Sequence, residues 1–225
     1  MEYNYIRIRI WNDPFNADGE TYGGGGNDVS TGVEIAKEAA QYDMKVLLDF
    51  HYSDFWAEPA VQLIPKAWKK DVNNTEKMCS DVYDFTKESI QKFKDGGANI
   101  GMVQVGNEIT NGLLGIYSNR DKGESFNVIW GDKKKSTEVN KYLKAGIKAV
   151  RECTPQALVA LHLETPNVWK YKTIMNTWKR DNVDYDVLGS SYYPFWSIAA
   201  KANTPKTLKD VQTLGSFLWK DVCSI

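Results

Sequence analysis

The sequence predicts an α/β fold whose parallel strands form a barrel, and two observations lead to that prediction. Five short apolar segments alternate along the chain with five segments whose apolar residues recur at helical spacing. Strands that alternate with amphipathic helices form parallel sheets with right-handed crossovers. Four of the five strands end in polar residues. A barrel collects such residues from successive strand ends, whereas an open doubly wound sheet binds its ligand at one switch point.

Length and composition predict one globular domain covering residues 1–225. The chain is 42% hydrophobic and 25% charged, enough for one sizeable core. A formal net charge of −1 argues against nucleic acid or an anionic membrane as partner. We find no apolar run near the roughly 20 residues of a membrane span, and no signal segment at the N-terminus. Cys79, Cys153 and Cys223 are widely spaced and odd in number, so we expect buried or incidental thiols rather than zinc ligands or disulfides.

The first predicted strand, residues 6–11, alternates β-branched and long side chains with a period of two. We expect its isoleucines to face the helices, and Arg7, Arg9 and Trp11 to point into the barrel. A buried arginine needs a carboxylate partner. Arg7 is therefore interpreted as a structural residue low in the barrel. Arg9 lies nearer the carboxyl end, and both a structural and an active-site role stay open for it.

The remaining strands cover residues 44–51, an apolar run that begins at 102 and stops at Asn107, 157–164 and 187–196. Asp28 is a candidate N-cap for the first helix, and Gly96 and Gly97 end the second. The apolar stripes of the five helices are Val29, Val33, Ala36 and Ala40; Val82, Phe85 and Phe93; Val139, Leu143, Ile147 and Val150; Ile174 and Trp178; and Leu208, Val211, Leu214 and Leu218. The glycines at 23–26 lack the Gly-Lys-Ser/Thr ending of a phosphate loop, so we do not expect phosphate binding there.

The candidate site lies where the strands end. Asn107 and Glu108 follow the most apolar strand directly, and they are either a simple strand cap or part of a catalytic centre. Asp49 and His51 share one face at the end of the second strand, where a doubly buried strand should be apolar. His162 and Glu164 end the fourth strand in the same way.

Two other groups of residues were weighed. The two histidines and Asp49 suggest a metal site, but no local His-x-x-x-His spacing supports one, so we expect no metal and no cofactor. Four tryptophans lie in loops rich in Gly, Pro or Asp, where a core role is less natural and where a flat ring could stack on a sugar. They are Trp56, Trp68, Trp130 and Trp196.

Five stretches of the chain resemble the endo-β-1,4-galactanases of glycoside hydrolase family 53. They are RIRIWNDP at 7–14, LLDFHYSDFWA at 47–57, PKAW at 65–68, VQVGNEITNG at 103–112 and GSSYYPFW at 189–196. The match runs in order through essentially the whole chain. The resemblance implies a (β/α)8 TIM barrel, secreted to the extracellular space, that hydrolyses the β-1,4-galactan of type I arabinogalactan with retention of configuration.

Carried over residue by residue, the resemblance assigns Glu108 as general acid/base and Asn107 as the amide that contacts the sugar 2-hydroxyl. It places Arg9, His51 and Tyr192 or Tyr193 among the polar groups around the catalytic carboxylates, and Trp56 and Trp196 as rings that stack on the sugar. Asp49 and His162 are candidate substrate-binding residues because they lie at strand ends, where structural or substrate hydrogen bonding is expected. The strand at 6–11 is similar to the family's second strand, so we expect strands two to six of the family, without the nucleophile that follows strand seven. Retaining hydrolysis needs two carboxyls about 5 Å apart. Glu164 is a weak candidate for the second one, because it lies on the neighbouring strand.

Two hypotheses follow. In the first, the chain is the central portion of a retaining galactanase, and by itself it releases no reducing ends from galactan. In the second, it is an inactive, truncated barrel that binds β-galactan weakly or only assembles as a homodimer. Exposed edges of a parallel sheet favour pairing with another chain, so a homo-oligomer formed through open barrel edges is expected in the second case.

Overall fold

The computed structural model describes residues 3–23, 25–193, 204–217 and 221–224, with the backbone alone for 215–217 and 221–224. The ring of Trp196, Leu218 and the side chain of Cys223 lie outside the described residues. None of the described helices is long and apolar enough to cross a bilayer. Cys79 and Cys153 are half-buried free thiols.

Six parallel strands form one sheet in the order in which they occur along the chain. The described strands are β1 (Tyr5–Ile10), β2 (Lys45–Phe50), β3 (Ile100–Val105), β4 (Gly112–Leu113), β5 (Ile116–Tyr117), β6 (Leu158–Leu163), β7 (Val187–Ser190) and β8 (Asp221–Ser224). The antiparallel ribbon β4–β5 stands apart, and the sheet order is β1-β2-β3-β6-β7-β8. This order lacks the reversal that defines a doubly wound sheet. The predicted barrel-type α/β fold is thereby confirmed, as part of a barrel.

The strand count differs from the prediction, because β8 adds a sixth strand to the five expected. Its four residues, Asp221–Ser224, are too few and too polar to give a periodic signal. The fifth predicted strand is also shorter than expected, since β7 ends at Ser190 rather than at 196. Pro194, which has no N–H to donate, is incompatible with a long continuation of a central strand.

Helices connect the strands at the predicted places. They are α1 (Val29–Ala40), α2 (Thr75–Asp95), α3 (Asn127–Trp130), α4 (Lys133–Cys153), α5 (Val168–Arg180) and α6 (Pro205–Phe217), with 3₁₀ turns at Lys66–Asp71, Ile109–Asn111 and Arg120–Lys122. Asp28 caps α1 by accepting the Ser30 N–H at 3.0 Å, as predicted. Gly96 is the C-cap of α2, and Gly97 follows with φ +83°.

The hydrophobic core lies between the helices and one face of the sheet. Its fully buried strand residues are Ile10, Val46, Leu48, Phe50, Val103, Val105, Val159, Leu161 and Leu163. α1 lies close over β1, since a Cβ on Gly32 would stand 3.0 Å from Ile10 and 2.8 Å from Phe93. This confirms that the isoleucines of β1 face the helices. Each such aliphatic side chain contributes about 1.5–3 kcal/mol on burial.

Two of the four loop tryptophans belong to this core, which corrects the expectation that they are ligand-facing. Trp68 and Trp130 are only 7% and 3% exposed. Trp130 also donates its indole N–H to the carbonyl of Thr110 at 2.6 Å. Trp68 lies in the 3₁₀ turn Lys66–Asp71, and Trp130 is the last residue of α3. These helical segments are too short to give a periodic pattern in the sequence.

Candidate active site

The opposite face of the sheet is polar near the carboxyl ends of the strands. Arg7 of β1, Asp49 of β2, Gln104 of β3 and His162 of β6 project there from four neighbouring strands. In the strand register, Asp49 and Gln104 are level with each other and with Arg9, so Arg7 lies two residues lower on β1. The four side chains therefore meet, because the carboxyl ends of parallel strands share one edge of the sheet.

Asp49 is a fully buried carboxylate with three partners. Its Oδ2 lies 3.0 Å from Arg7 Nη2 and 3.1 Å from His51 Nε2, and its Oδ1 accepts from Gln104 Nε2 at 2.6 Å. Burial by itself would raise the pKa of Asp49, but the neighbouring His51 and Arg7 outweigh it and hold the pKa below its ordinary value. Asp49 is therefore a stable anion that fixes Arg7.

His51 has a defined tautomer. The Ala57 backbone N–H donates to Nδ1 at 3.0 Å, so Nδ1 must carry a lone pair. The ring proton is then on Nε2, where it is donated to Asp49. This arrangement holds the loop that follows β2 against the end of the strand.

Asn107 is buried at the centre of the network. Its Oδ1 accepts from Arg7 Nη2 at 2.8 Å and from Gln104 Nε2 at 3.2 Å, and it lies 2.9 Å from His162 Nδ1. Its Nδ2 donates to the carbonyl of Ala57 at 2.8 Å. Arginine can only donate and a carbonyl can only accept, so the orientation of the amide is fixed.

Glu108 follows in an unusual backbone conformation, with φ 47° and ψ 47°. This left-handed region is costly for a residue with a Cβ and is found where surrounding contacts enforce it. The hydroxyl oxygen of Ser191, just after β7, lies 2.5 Å from Oε1. Burial raises the pKa of Glu108 above its ordinary value, and nearby Glu164 and Glu58 act in the same direction. A hydrogen bond donated by Ser191 to the ionised carboxylate and the charge of Arg7 act in the opposite direction. A carboxyl in such surroundings is suited to donate a proton.

His162 is 2% exposed and neutral. Burial and the nearby Arg7 charge lower its pKa to about 3, which places its protonation far below neutral pH. Nδ1 faces Asn107, and Nε2 lies 3.0 Å from the Ser191 hydroxyl oxygen. His162 thereby connects the amide of Asn107 to the hydroxyl next to Glu108.

Exposed rings lie at the rim of the site. Trp56 is 43% exposed, and the Arg9 guanidinium lies 4.6 Å from its ring centroid. Tyr193 is 53% exposed and Tyr192 is half-buried, both directly after the strand end that carries Ser191. Exposed rings beside a polar centre can stack on a sugar.

Glu164 is the other predicted carboxylate at a strand end. Its Oε1 forms an ion pair with Lys170 Nζ at 2.8 Å, and its backbone N–H donates to Thr110 Oγ1 at 2.8 Å. It is already neutralised by a partner. Within the described part of the chain, no three His, Cys, Asp or Glu side chains come together as metal ligands.

The structure brings Asp49, His51, Asn107, Glu108 and His162 together, as the strand ends predict. Three side chains that join them were not among the predicted site residues, and these are Arg7, Gln104 and Ser191. Gln104 could have been identified from the sequence, because it is a polar residue inside an apolar run. Arg7 was expected to be structural and bound to a carboxylate, and it does bind Asp49, but it also reaches Asn107.

The arrangement holds a buried carboxyl next to a rigid amide. Glu108 has one oxygen at Ser191, and Asn107 is locked by a charged network that reaches back to Asp49. General acid catalysis needs a carboxyl that is protonated near the working pH and held within reach of the leaving oxygen. Burial raises the pKa of Glu108 and so shifts it in the direction of the first requirement.

The whole chain can now be compared with known proteins. Residues 1–217 match the family described as Glycosyl hydrolase family 53. The chain is 45% identical over 194 residues to the endo-beta-1,4-galactanase of Bacillus subtilis (strain 168), which covers 86% of this chain and 41% of that protein. It is 29% identical over 205 residues to the arabinogalactan endo-beta-1,4-galactanase of Humicola insolens, covering 88% and 54% respectively.

Among solved structures, the GH53 catalytic domain of Ignisphaera aggregans matches with a TM-score of 0.82 and 32% identity, covering 97% of this chain and 56% of that one. The chain spans about half the length of the curated relatives it matches. The match over residues 1–217, together with the sheet order and the residues at the strand ends, leads to one conclusion: the chain belongs to glycosyl hydrolase family 53.

Proposed function

We propose that Glu108 is the general acid/base of a retaining endo-β-1,4-galactanase that acts on type I arabinogalactan. The observation that carries the proposal is the buried Glu108 carboxyl, whose pKa burial raises, at the end of a central barrel strand in a chain of this family. In retaining hydrolysis such a carboxyl first protonates the glycosidic oxygen and later activates water. Since the substrate is a polysaccharide, we place the reaction outside the cell.

The other residues take supporting roles in this proposal. Asn107 contacts the sugar 2-hydroxyl next to the bond that breaks. Arg9, Trp56, Tyr192 and Tyr193 bind the sugar by stacking or hydrogen bonding. The same role is proposed for Trp196, which lies outside the described residues. Asp49, His51 and His162 are no more than 2% exposed, so they act by holding Asn107 and the loop after β2 in place.

The first test is hydrolysis of β-1,4-galactan by this chain and by Glu108→Gln, which keeps the shape of the side chain but cannot exchange a proton. If the unmodified chain releases reducing ends and Glu108 is the acid, the rate of release falls by about 10²–10⁴-fold in the variant. The matched control is Glu88→Gln, an exposed glutamate of α2, which should keep the original rate. Equal measurable rates for Glu108→Gln and the unmodified chain would overturn the assignment. If neither releases reducing ends, as the first hypothesis expects of the chain by itself, the binding experiment below decides.

A second candidate function is galactan binding without turnover. Retaining hydrolysis needs a second carboxylate about 5 Å from the acid. In the described part of the chain, the carboxylates next to Glu108 are Glu164 and Glu58. Glu164 is paired with Lys170, and this observation favours binding without turnover. Calorimetric titration with galactan oligosaccharides distinguishes the cases. Binding without released reducing ends supports the second function, and neither binding nor release contradicts both.

A further inference from the structure

The hydroxyl of Ser191 has one proton and two partners. Its Oγ lies 2.5 Å from Glu108 Oε1 and 3.0 Å from His162 Nε2. When Glu108 is ionised, the carboxylate can only accept, and Ser191 must donate to it. When Glu108 is protonated, the carboxyl can donate to Oγ, and the serine proton is free for His162. Which state is favoured depends on whether Nε2 carries a proton or a lone pair.

The state of His162 is decided on its other side. Nδ1 lies 2.9 Å from Asn107 Oδ1, and this amide is fixed by Arg7 and by the carbonyl of Ala57. An oxygen at that distance requires a proton on Nδ1. Two longer contacts to Nδ1 would need the opposite tautomer: the Glu108 N–H at 3.3 Å and Gln104 Nε2 at 3.4 Å. Gln104 already donates to Asp49 at 2.6 Å, and the shorter contact to Asn107 prevails.

With the single proton of neutral His162 on Nδ1, Nε2 can only accept. We propose that Ser191 and His162 are positioning residues that direct the hydrogen bonds so that the acidic proton stays on Glu108. When each of these groups has a hydrogen-bond partner, Glu108 donates to Ser191, Ser191 donates to His162 Nε2, and His162 Nδ1 donates to Asn107. Ionised Glu108 would leave two acceptors for one serine proton, and a buried acceptor without a donor is costly. The catalytic value of this arrangement rests on the proposed role of Glu108 as general acid.

Other charged or titratable groups also face Glu108. Glu164 after β6 and Glu58 after β2 favour the protonated carboxyl, and Arg7 of β1 opposes it. Tyr171 of α5 stays neutral, because burial raises its pKa. None of these groups gives a direction to the Ser191 proton. Because Ser191→Ala leaves all of these groups in place, the sign of its effect on the titration of Glu108 reports on Ser191 alone.

The first experiment needs no variant. The chain contains two histidines, so ¹⁵N NMR of histidine-labelled protein at neutral pH resolves both rings. The geometry requires opposite tautomers: Nε2–H for His51, whose Nδ1 accepts from Ala57, and Nδ1–H for His162. One ring of each tautomer is the expected spectrum. Two Nε2–H rings, or a protonated His162 at neutral pH, would overturn the proposal.

The second experiment follows the ¹³C-labelled side-chain carboxyl of Glu108, assigned by its disappearance in Glu108→Gln. If Ser191 favours the protonated form, Ser191→Ala moves the titration midpoint of Glu108 to lower pH. If Ser191 were a plain donor to the carboxylate, its removal would move the midpoint to higher pH. A rise or no change therefore overturns the proposal. Ser190→Ala is the matched control, because its hydroxyl contacts Tyr171 at 2.8 Å, and it should leave the midpoint where it is.

Neither measurement uses galactan. If both succeed and the chain neither binds nor cleaves galactan, the proposed function fails while the hydrogen-bond direction stands. If hydrolysis depends on Glu108 but Ser191→Ala raises the midpoint, the function stands and the positioning role of Ser191 fails.

Discussion

At the scale of single residues, Asn107 holds the site together through opposite ends of one amide. We expect Asn107→Ala to lower the free energy of unfolding by about 3 kcal/mol, because Arg7, His162 and the carbonyl of Ala57 each lose a partner and an unsatisfied buried group costs about 1–3 kcal/mol. Urea denaturation followed by tryptophan fluorescence measures the loss. Asn73→Ala, at an exposed position, should change it by less than about 0.5 kcal/mol. Equal values for the two variants would contradict the role of Asn107.

Residue types at strand ends made much of this centre predictable. Asn107, Glu108, Asp49, His51 and His162 were all recognisable as polar residues where apolar runs stop. Their mutual contacts were not, because they depend on how four strands are aligned side by side.

The two arginines of β1 show the limit. Arg9 lies nearer the carboxyl end of β1 than Arg7, so an active-site role was considered for Arg9 alone. In the structure Arg7 reaches Asn107, whereas Arg9 lies over Trp56. The Cα of Arg7 is level with Leu47, two residues or about 7 Å below Asp49. A long side chain that is inclined along the strand direction covers that distance. The alternation of residue types in the sequence does not show this inclination.

At the scale of elements, the ribbon β4–β5 depends on a glycine. A Cβ on Gly112 would stand 1.9 Å from the carbonyl oxygen of Ile116, at φ +127°. We expect Gly112→Ala to cost about 3 kcal/mol through strain and clash together. Gly123→Ala is the matched control, since φ is +71° there but nothing lies within 4 Å, and conformational strain alone costs about 1 kcal/mol. Thermal and urea unfolding of the two variants separates the cost of the backbone strain from the cost of the clash. Equal losses would show that the ribbon relaxes away from the clash.

Asp181 joins α4 to the end of α5. Its carboxylate accepts from Arg180 at 2.6 Å, Asn140 at 2.8 Å and Thr137 at 3.1 Å. The hydrogen bond from Arg180 is the main reason that the pKa of Asp181 is lowered to about 2, and Asn140 and Thr137 add to it against the effect of burial. A carboxyl whose pKa falls on folding stabilises the protein above its unfolded pKa of about 3.9, and the effect is lost as the pH falls through the folded value.

We therefore expect Asp181→Ala to lower the free energy of unfolding by about 1–2 kcal/mol at pH 7. The difference from the unmodified chain should shrink between about pH 4 and pH 2, where the native carboxylate becomes protonated. Urea titrations at pH 7, 4 and 3 measure it. The control is Asp184→Ala, which removes a 69% exposed carboxylate paired with Arg151 and should matter little. A pH-independent difference would contradict the role of the Asp181 charge.

Elements with a long periodic pattern were predictable, and short ones were not. The stripe of Val139, Leu143, Ile147 and Val150 identified α4, and these side chains are buried. The lysines at 133–135 form the exposed first turn of that helix, after the Asp132 cap. The ribbon β4–β5 and β8 have two to four residues per strand, which is too few to carry a period.

At the scale of the whole molecule, the succession of strands and helices was enough to predict the order of the sheet. Right-handed crossovers leave few ways to arrange alternating strands and helices. Polar ends on successive strands then indicated a barrel rather than an open doubly wound sheet. What the alternation could not supply is the number of strands, since β8 gave no signal.

The outer strands also make the state of assembly testable. In the described part of the chain, β1 and β8 each pair with one neighbour. The carbonyl of Asn4, just before β1, accepts from Lys45 of β2, and that of Ile10 accepts from His51, just after β2. The even-numbered residues of β1 therefore form their backbone hydrogen bonds towards β2. By the alternation of a parallel ladder, the odd-numbered residues turn their N–H and C=O groups to the open edge. An exposed edge of this kind pairs with another chain.

We expect the apparent mass of the chain in sedimentation equilibrium to rise with concentration, as copies pair through this edge. Tyr5→Pro should weaken the association, because proline removes an N–H at the open edge without removing one from the β1–β2 ladder. Tyr42→Ala is the control, since it changes a tyrosine that is 71% exposed and lies outside the strands. A monomer at every concentration would contradict edge pairing, and so would association that Tyr5→Pro leaves unchanged.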